Sequence, residues 1–221
     1  MQDRLALLET CRAELYAAVV FDTVDAMGLR DQVVAPGLNP IAEGMKICGS
    51  ARVGLYMPIY HDDEMVNVYE HEIRLIDDLD PGDVPMISCN GNRGIAPWGE
   101  LLSTRAQYLK SPGCITDGSV RDVAMIRAMG YPVFSGGRNP VDTKYRGKMM
   151  WIDVPCIIGG VQVNSGDLVI ADLDGIVFVP ADRIDEALAG ALGKVRSENR
   201  IRDELRSGAS LVYVFARHGI L

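Results

Sequence analysis

The chain has 221 residues, 48% hydrophobic and 24% charged, a composition that fits one large globular domain or two small ones and excludes a disordered or fibrous protein. A formal net charge of −8 and a pI near 4.9, with no clustered Lys and Arg, exclude a general nucleic-acid binder, because neutralising phosphates requires such a cluster. No segment reaches the roughly 18 apolar residues of a membrane span, and five widely spaced cysteines contain no Cys-x-x-Cys. The expectations are therefore a cytoplasmic protein that acts on neither nucleic acid nor membrane, with buried free thiols and no thiolate zinc site.

Residues 1–30 read as a helical lead-in, with Leu5, Leu8, Cys11, Leu15, Ala18 and Val19 near helical spacing and Phe21-Asp22-Thr23 able to open a second helix. Short apolar runs at 51–57, 84–88, 114–116 and 132–135 read as strands, and the patterns at 65–77, 97–109 and 119–129 between them read as helices. Such alternation predicts a largely parallel sheet with crossovers. Strand-like runs at 149–158, 161–163, 167–171 and 176–179, joined by Gly-rich turns, predict hairpins that close a small barrel or second sheet. Pro180 opens a polar helix to about 205, and an apolar segment at 211–215 follows, so residues 181–221 form a helical tail on one compact α/β domain spanning 1–221.

Two segments carry the chemistry. In Gly94-Ile-Ala-Pro-Trp-Gly-Glu100-Leu-Leu, Pro97 suits the first turn of a helix, and the backbone N–H groups of Gly99, Glu100, Leu101 and Leu102 would then be free to hold a carboxylate. Taken alone, Glu100 is more simply explained as a complement to the helix dipole. Ile115-Thr-Asp117-Gly118-Ser119-Val-Arg121-Asp122 reads as strand end, Asp-Gly turn and helix start, which sets Arg121 and Asp122 at the C-terminal edge of the sheet, where ligands of open α/β sheets bind. The plainer explanation is a capping box, Ser119-x-x-Asp122.

The twenty residues between Glu100 and the pair Arg121-Asp122 resemble the acidic-x20-Arg-Asp signature of the class II 4-hydroxy-4-methyl-2-oxoglutarate (4-carboxy-4-hydroxy-2-oxoadipate) aldolases and their RraA-like relatives. The similarity continues through Pro81-Gly-Asp83, Gly130-Tyr-Pro-Val-Phe134, Gly159-Gly-Val161 and the run from Gly166 to Pro180, and covers most of the chain from about residue 20. The resemblance implies a swivelling β/β/α-type fold assembled as homotrimers or homohexamers, with sites near subunit interfaces. It implies a divalent cation, Mg²⁺ or Mn²⁺, held directly by Asp122 and through water by Glu100, with Glu198 from a neighbouring subunit as a further candidate. Arg121 and the amides from Gly99 to Leu102 would hold a 2-keto acid. The implied reaction is retro-aldol cleavage to pyruvate through its enolate, with oxaloacetate decarboxylation as a companion.

The rival from another class is an RraA-type regulator that binds a ribonuclease by protein contact, and fold alone does not separate the two. Methyltransferase activity lacks a glycine fingerprint for a nucleotide-like cofactor. The segment from Tyr60-His61-Asp62-Asp63-Glu64 to Glu70-His71 reads as a polar loop before a helix, with metal or substrate binding as the alternative, and Arg138, Lys144 and Arg146 are candidates to meet the far end of the substrate.

Overall fold

The computed structural model describes residues 2–61 and 65–219. Two helices lead in, α1 (Gln2–Glu14) and α2 (Ala17–Ala26), followed by a two-residue strand β1 (Asn39–Pro40) and the long strand β2 (Ile47–Pro58). Three crossovers follow: α3 (Glu70–Asp77) to β3 (Asp83–Ser88), α4 (Glu100–Tyr108) to β4 (Cys114–Val120), and α5 (Val123–Met129) to β5 (Val133–Arg138). The chain then runs through β6 (Gly147–Ile152), β7 (Cys156–Ile158), β8 (Val161–Val163), β9 (Leu168–Ala171) and β10 (Ile176–Val179), and ends in α6 (Ile184–Arg206) and α7 (Leu211–His218).

The main sheet has the order β1-β5-β4-β3-β2-β9-β10, and its centre, β2 to β5, is parallel as the alternation predicts. On the edge of β2 away from β3, Ile47–Ser50 pair with β9 and Gly54–Pro58 pair with β6, so one strand serves two neighbours in turn. The C-terminal hairpins thus extend the main sheet rather than closing a second one. Among the described residues only β7 and β8 stand apart, as a two-stranded hairpin.

Successive residues in the strands face opposite layers. Ile47, Met86, Ile115, Phe134, Val169 and Phe178 pack with Cys156, Ile158, Val161 and Val163 of the hairpin on one face. Their neighbours face the helices: Cys48, Ile170, Val177 and Val179 meet α1, α2 and α6, while Ile87, Cys114 and Val133 meet Leu75, Ile76, Ala106 and Ile126 of α3 to α5. The result is a mixed α/β single domain in which the sheet is covered on both sides, which is why its strands read as continuous apolar runs rather than alternating ones. All five cysteines are buried and free. Among the described residues, no helix is long and apolar enough to cross a membrane.

Several boundaries differ from the expected ones. The pattern at 119–129 is not one helix: β4 continues through Asp117, Gly118 and Ser119 to Val120, with a register irregularity between Thr116 and Ser119, and α5 begins only at Val123. Tertiary bonds hold this stretch extended, Ser119 N–H to Ile95 O at 2.9 Å and Arg121 N–H to Trp98 O at 2.9 Å. Helices expected from 97 and 65 begin at Glu100 and Glu70, and the run at 149–158 breaks at Asp153, which has positive φ, into β6 and β7. The segment at 211–215 lies in the helix α7. Asp172 and Asp174 form the turn between β9 and β10, and Asp172 also accepts the N–H of Ala17, the first residue of α2, at 2.8 Å.

Asp117 is not a turn residue but a buried tie between β4 and the loop after β3. Burial raises its pKa, opposed by the N–H groups of Cys89 and Gly91 and the hydroxyl of Ser88, which all bond to its carboxylate. Replacing it with Ala strands the buried N–H of Cys89, while that of Gly91 can turn to solvent, so Asp117→Ala is expected to lower unfolding free energy by roughly 1–3 kcal/mol. Urea denaturation checks this, and an unchanged midpoint would show that the loop holds without the tie.

Candidate functional site

The site forms where the loop entering α4 runs beside the end of β4. Trp98 and Val120 make a parallel bridge, and the indole of Trp98 is buried, stacked on Tyr131 and bonded through Nε1 to Ser103 Oγ at 2.8 Å. A buried Trp contributes about 1.5–3 kcal/mol or more by apolar burial alone, so the loop is anchored at the point from which the site is built. Gly99 follows as N-cap of α4, and Arg121 and Asp122 follow Val120.

Asp122 is the N-cap of α5, but in the left-handed conformation, φ 56° and ψ 30°, and its side chain does not cap that helix. The alternative capping box is absent because Ser119 lies in β4 and α5 begins only at Val123. The carboxylate turns instead to the other helix: Asp122 Oδ2 accepts the N–H of Glu100 at 3.2 Å, at the positive end of α4. Gly99 is what permits the approach, since a Cβ there would lie 2.7 Å from Asp122 Oδ2 and 3.2 Å from Arg121 Nε. With Glu100 N–H taken by Asp122, the N–H groups of Leu101 and Leu102 remain without intrahelical partners in the first turn.

Arg121 is shared between two carboxylates, Nη1 to Asp142 Oδ2 at 3.1 Å and Nε to Asp122 Oδ2 at 3.7 Å. Asp142 also accepts the hydroxyl of Tyr69 at 2.9 Å and the N–H of Lys144 at 3.1 Å. Burial works against its ionisation, but these two donors and the Arg121 guanidinium outweigh it and hold the carboxyl below the usual range. Glu100 Oε1 accepts the hydroxyl of Thr104 at 2.8 Å.

These groups line one cavity of about 180 Å³, together with Tyr69, Glu72, Ile73, the 96–102 segment and Thr143. It lies beyond the C-terminal ends of the parallel strands, the position expected for a ligand in such a sheet. Its volume is below the roughly 300–1,000 Å³ of drug-sized sites, room for a small acid. Gly99, Glu100, Leu101, Leu102, Arg121 and Asp122 are thus brought together.

Glu198 is not at this cavity within its own chain: on α6 it accepts the hydroxyl of Tyr16 and faces Arg202 at 4.0 Å. Arg138 bonds to the carbonyl of Ile41, and Arg146 to those of Asp142 and Lys144. His71 contacts Met149 O through Nδ1, while Asp62, Asp63 and Glu64 lie outside the described residues.

Two carboxylates that line the cavity, Asp142 and Glu72, escaped sequence reasoning. Asp142 sits in a loop with no pattern to mark it. Glu72 carried a signal, because Val68, Glu72, Leu75, Ile76 and Leu79 share the buried stripe of α3 and its approach, which puts a carboxylate where the helix period demands an apolar residue.

The carboxylate donors fit a hard cation that retains water. Among the described residues no group of three His, Cys, Asp or Glu could enclose a metal, whereas Asp122 and Glu100 present two carboxylates at one cavity. Mg²⁺ and Mn²⁺ are commonly bound in this way, with water completing the shell, and the set is wrong for softer metals.

A family model described as RraA-like: Aldolase/RraA matches residues 17–178. The chain is 31% identical over 195 residues to Protein DlpA of Legionella pneumophila, covering 88% of this chain and 31% of that protein, so it spans about a third of that relative's length. It is 27% identical over 157 residues to a Halalkalibacterium halodurans protein named "Putative 4-hydroxy-4-methyl-2-oxoglutarate aldolase", covering 71% of this chain and 70% of the other. Among solved structures, an uncharacterized protein from Pseudomonas syringae pv. tomato has a TM-score of 0.84 at 27% identity, covering 96% of this chain and 93% of that one. Streptomyces coelicolor RraAS2, described as an unusual member of the RNase ES inhibitor RraA protein family, has a TM-score of 0.77 at 26% identity, with 89% and 96% covered.

Gly99→Ala is expected to fold with its helices intact while the new methyl displaces the carboxylate of Asp122 from the N-terminus of α4. A crystal structure of the variant with the Glu100 N–H to Asp122 bond unchanged would contradict the close-approach argument.

Proposed function

Because the chain belongs to the RraA-like family, Aldolase/RraA, whose model spans residues 17–178, we propose that it is a divalent-metal-dependent lyase cleaving a 4-hydroxy-2-keto acid, of the 4-hydroxy-4-methyl-2-oxoglutarate type, to pyruvate. The observation that carries this reading is the joining of Asp122, Arg121 and the free amides of α4 at one small cavity. Asp122 would hold Mg²⁺ or Mn²⁺ directly and Glu100 through water, with Glu198 of a neighbouring subunit completing the site in a homotrimer or homohexamer. When bound, the cation supplies Lewis-acid polarisation of the 2-keto group.

The chain's own groups do the rest. Leu101 and Leu102 N–H receive the substrate carboxylate at the positive end of α4. Arg121, oriented by Asp142, donates to the 2-keto oxygen, where negative charge grows as the C3–C4 bond breaks, so its contact strengthens towards the transition state. The substrate's 4-hydroxyl would give its proton to water at the cavity as the C3–C4 bond breaks, and the products are a carbonyl compound and the enolate of pyruvate. Decarboxylation of oxaloacetate yields the same enolate, so that companion activity belongs to the same site.

An RraA-type binding role is the second reading, and it rests on the likeness to RraAS2. Pyruvate release, coupled to lactate dehydrogenase, tests both. With 4-hydroxy-4-methyl-2-oxoglutarate or oxaloacetate, turnover is expected with Mg²⁺, to be abolished by EDTA, and to fall roughly 100-fold or more in Asp122→Ala and in Arg121→Lys, whose ammonium cannot reproduce the fork. No turnover of either substrate by the wild type would sink the lyase and favour the binding role.

A further inference from the structure

α3 brings into the cavity a carboxylate for which the lyase reading above has no task. Glu72 is 8% exposed on the apolar stripe of its helix, yet it lines the cavity with Arg121, Asp122 and Asp142. The hydroxyl of Tyr56, itself 1% exposed on β2, donates to Glu72 Oε2. The other ionisable groups that bear on this pair come from four directions: Asp142 from the loop after β5, Arg121 from the end of β4, Tyr69 from the N-cap of α3 and Cys89 from the loop after β3. A carboxyl group enclosed by apolar packing, bonded to one phenol and open to a ligand cavity is placed to move a proton.

The proposed reaction needs such a group. Cleavage leaves a pyruvate enolate whose C3 must gain a proton, and carboxylates engaged with a cation, as Asp122 and Glu100 would be, are not available as acids. We propose that Glu72 is the catalytic acid that protonates C3 of the pyruvate enolate, an assignment that rests on the lyase reading. In this step the O–H bond of the Glu72 carboxyl breaks, the C2=C3 electron pair of the enolate takes the proton to form a C–H bond, and C2 returns to the ketone. Glu72 is left as a carboxylate that accepts the Tyr56 hydroxyl. The proton lost by the substrate's 4-hydroxyl balances the one gained at C3, so turnover consumes no net proton. In reverse, the Glu72 carboxylate removes a proton from the methyl group of pyruvate.

The protonation state agrees with this use. Burial is the leading cause that raises the Glu72 pKa to about 7; the Tyr56 hydrogen bond and Arg121 oppose the rise and the charge of Asp142 adds to it. Both acid and base forms are therefore populated near neutral pH.

The test is exchange of the pyruvate methyl protons in D₂O, followed by proton NMR with Mg²⁺-supplied wild type, Glu72→Gln and Tyr56→Phe. Exchange needs ionised Glu72, so the wild-type rate should rise with pH and level off above about 7. Glu72→Gln should lose exchange by roughly 100-fold or more. Its loss of oxaloacetate decarboxylation should be at least about tenfold smaller, because loss of CO₂ forms the enolate directly and released enolpyruvate ketonises in solution. In Tyr56→Phe the bond that favours the carboxylate is gone, so the rise should move to higher pH. Exchange in Glu72→Gln as fast as in the wild type, or an unmoved pH profile in an active Tyr56→Phe, would overturn the assignment and leave the lyase standing. A wild type that neither exchanges pyruvate nor decarboxylates oxaloacetate would overturn both.

Discussion

Two hydrogen bonds make the site possible: Arg121 N–H to Trp98 O at 2.9 Å and Glu100 N–H to Asp122 Oδ2 at 3.2 Å, across Gly99. They pin two segments that are twenty residues apart in sequence, one from the end of β4 and one from the start of α4. Each bond depends on the other. The backbone bond holds β4 extended past its Gly118-Ser119 stretch, and only then does Asp122 reach the neighbouring helix; the carboxylate in turn stabilises the amide end of α4. Gly99 has to be small because the two segments meet at its Cα.

Charge at the cavity follows from this meeting. One cation, Arg121, serves Asp122 and Asp142 and acts on Glu72, while Glu100 adds a further carboxylate. The excess of negative charge has two outlets. Asp142 stays ionised because it collects a phenol, a backbone amide and the guanidinium. Glu72, with one phenol and deep burial, tends to protonate instead. The same small volume therefore keeps one carboxyl charged and another near neutrality, which is how a single site separates a positioning role from a proton-transfer role.

The parallel centre of the sheet and its crossovers were legible in sequence because apolar strands alternate with amphipathic helices at 84–88, 97–109, 114–116 and 132–135. The pairing of the later hairpins with β2 was not, since register across the chain is set by which edge of β2 remains open and no local pattern encodes that. The Gly118-Ser119 stretch misled for a related reason: these residues favour turns locally, and the bonds to Ile95 and Trp98 that hold them extended are tertiary. At the site, the spacing of Glu100, Arg121 and Asp122 was visible, but Asp122 was also readable as a cap of its own helix. Its left-handed φ sends the side chain the other way, and the enrichment of Asp in that conformation is too weak a signal to read from one sequence. Glu72 could have been found, since a lone acid on an apolar helix stripe is a broken pattern.

Such broken patterns bear on the choice between lyase and binding module. A left-handed Asp122 carries roughly 1–3 kcal/mol of backbone strain, and an acid buried as Glu72 is resists ionisation at a further cost. Both lie on one cavity, with the guanidinium between carboxylates rather than presented outward. A surface evolved for contact with another protein gains nothing from a buried, neutral-prone acid or from a carboxylate aimed into a helix terminus. A site that must hold a small dianion, accept charge on a keto oxygen and return a proton to carbon gains from each. The strain is therefore spent where chemistry would use it, and that concentration, more than likeness of fold, favours catalysis.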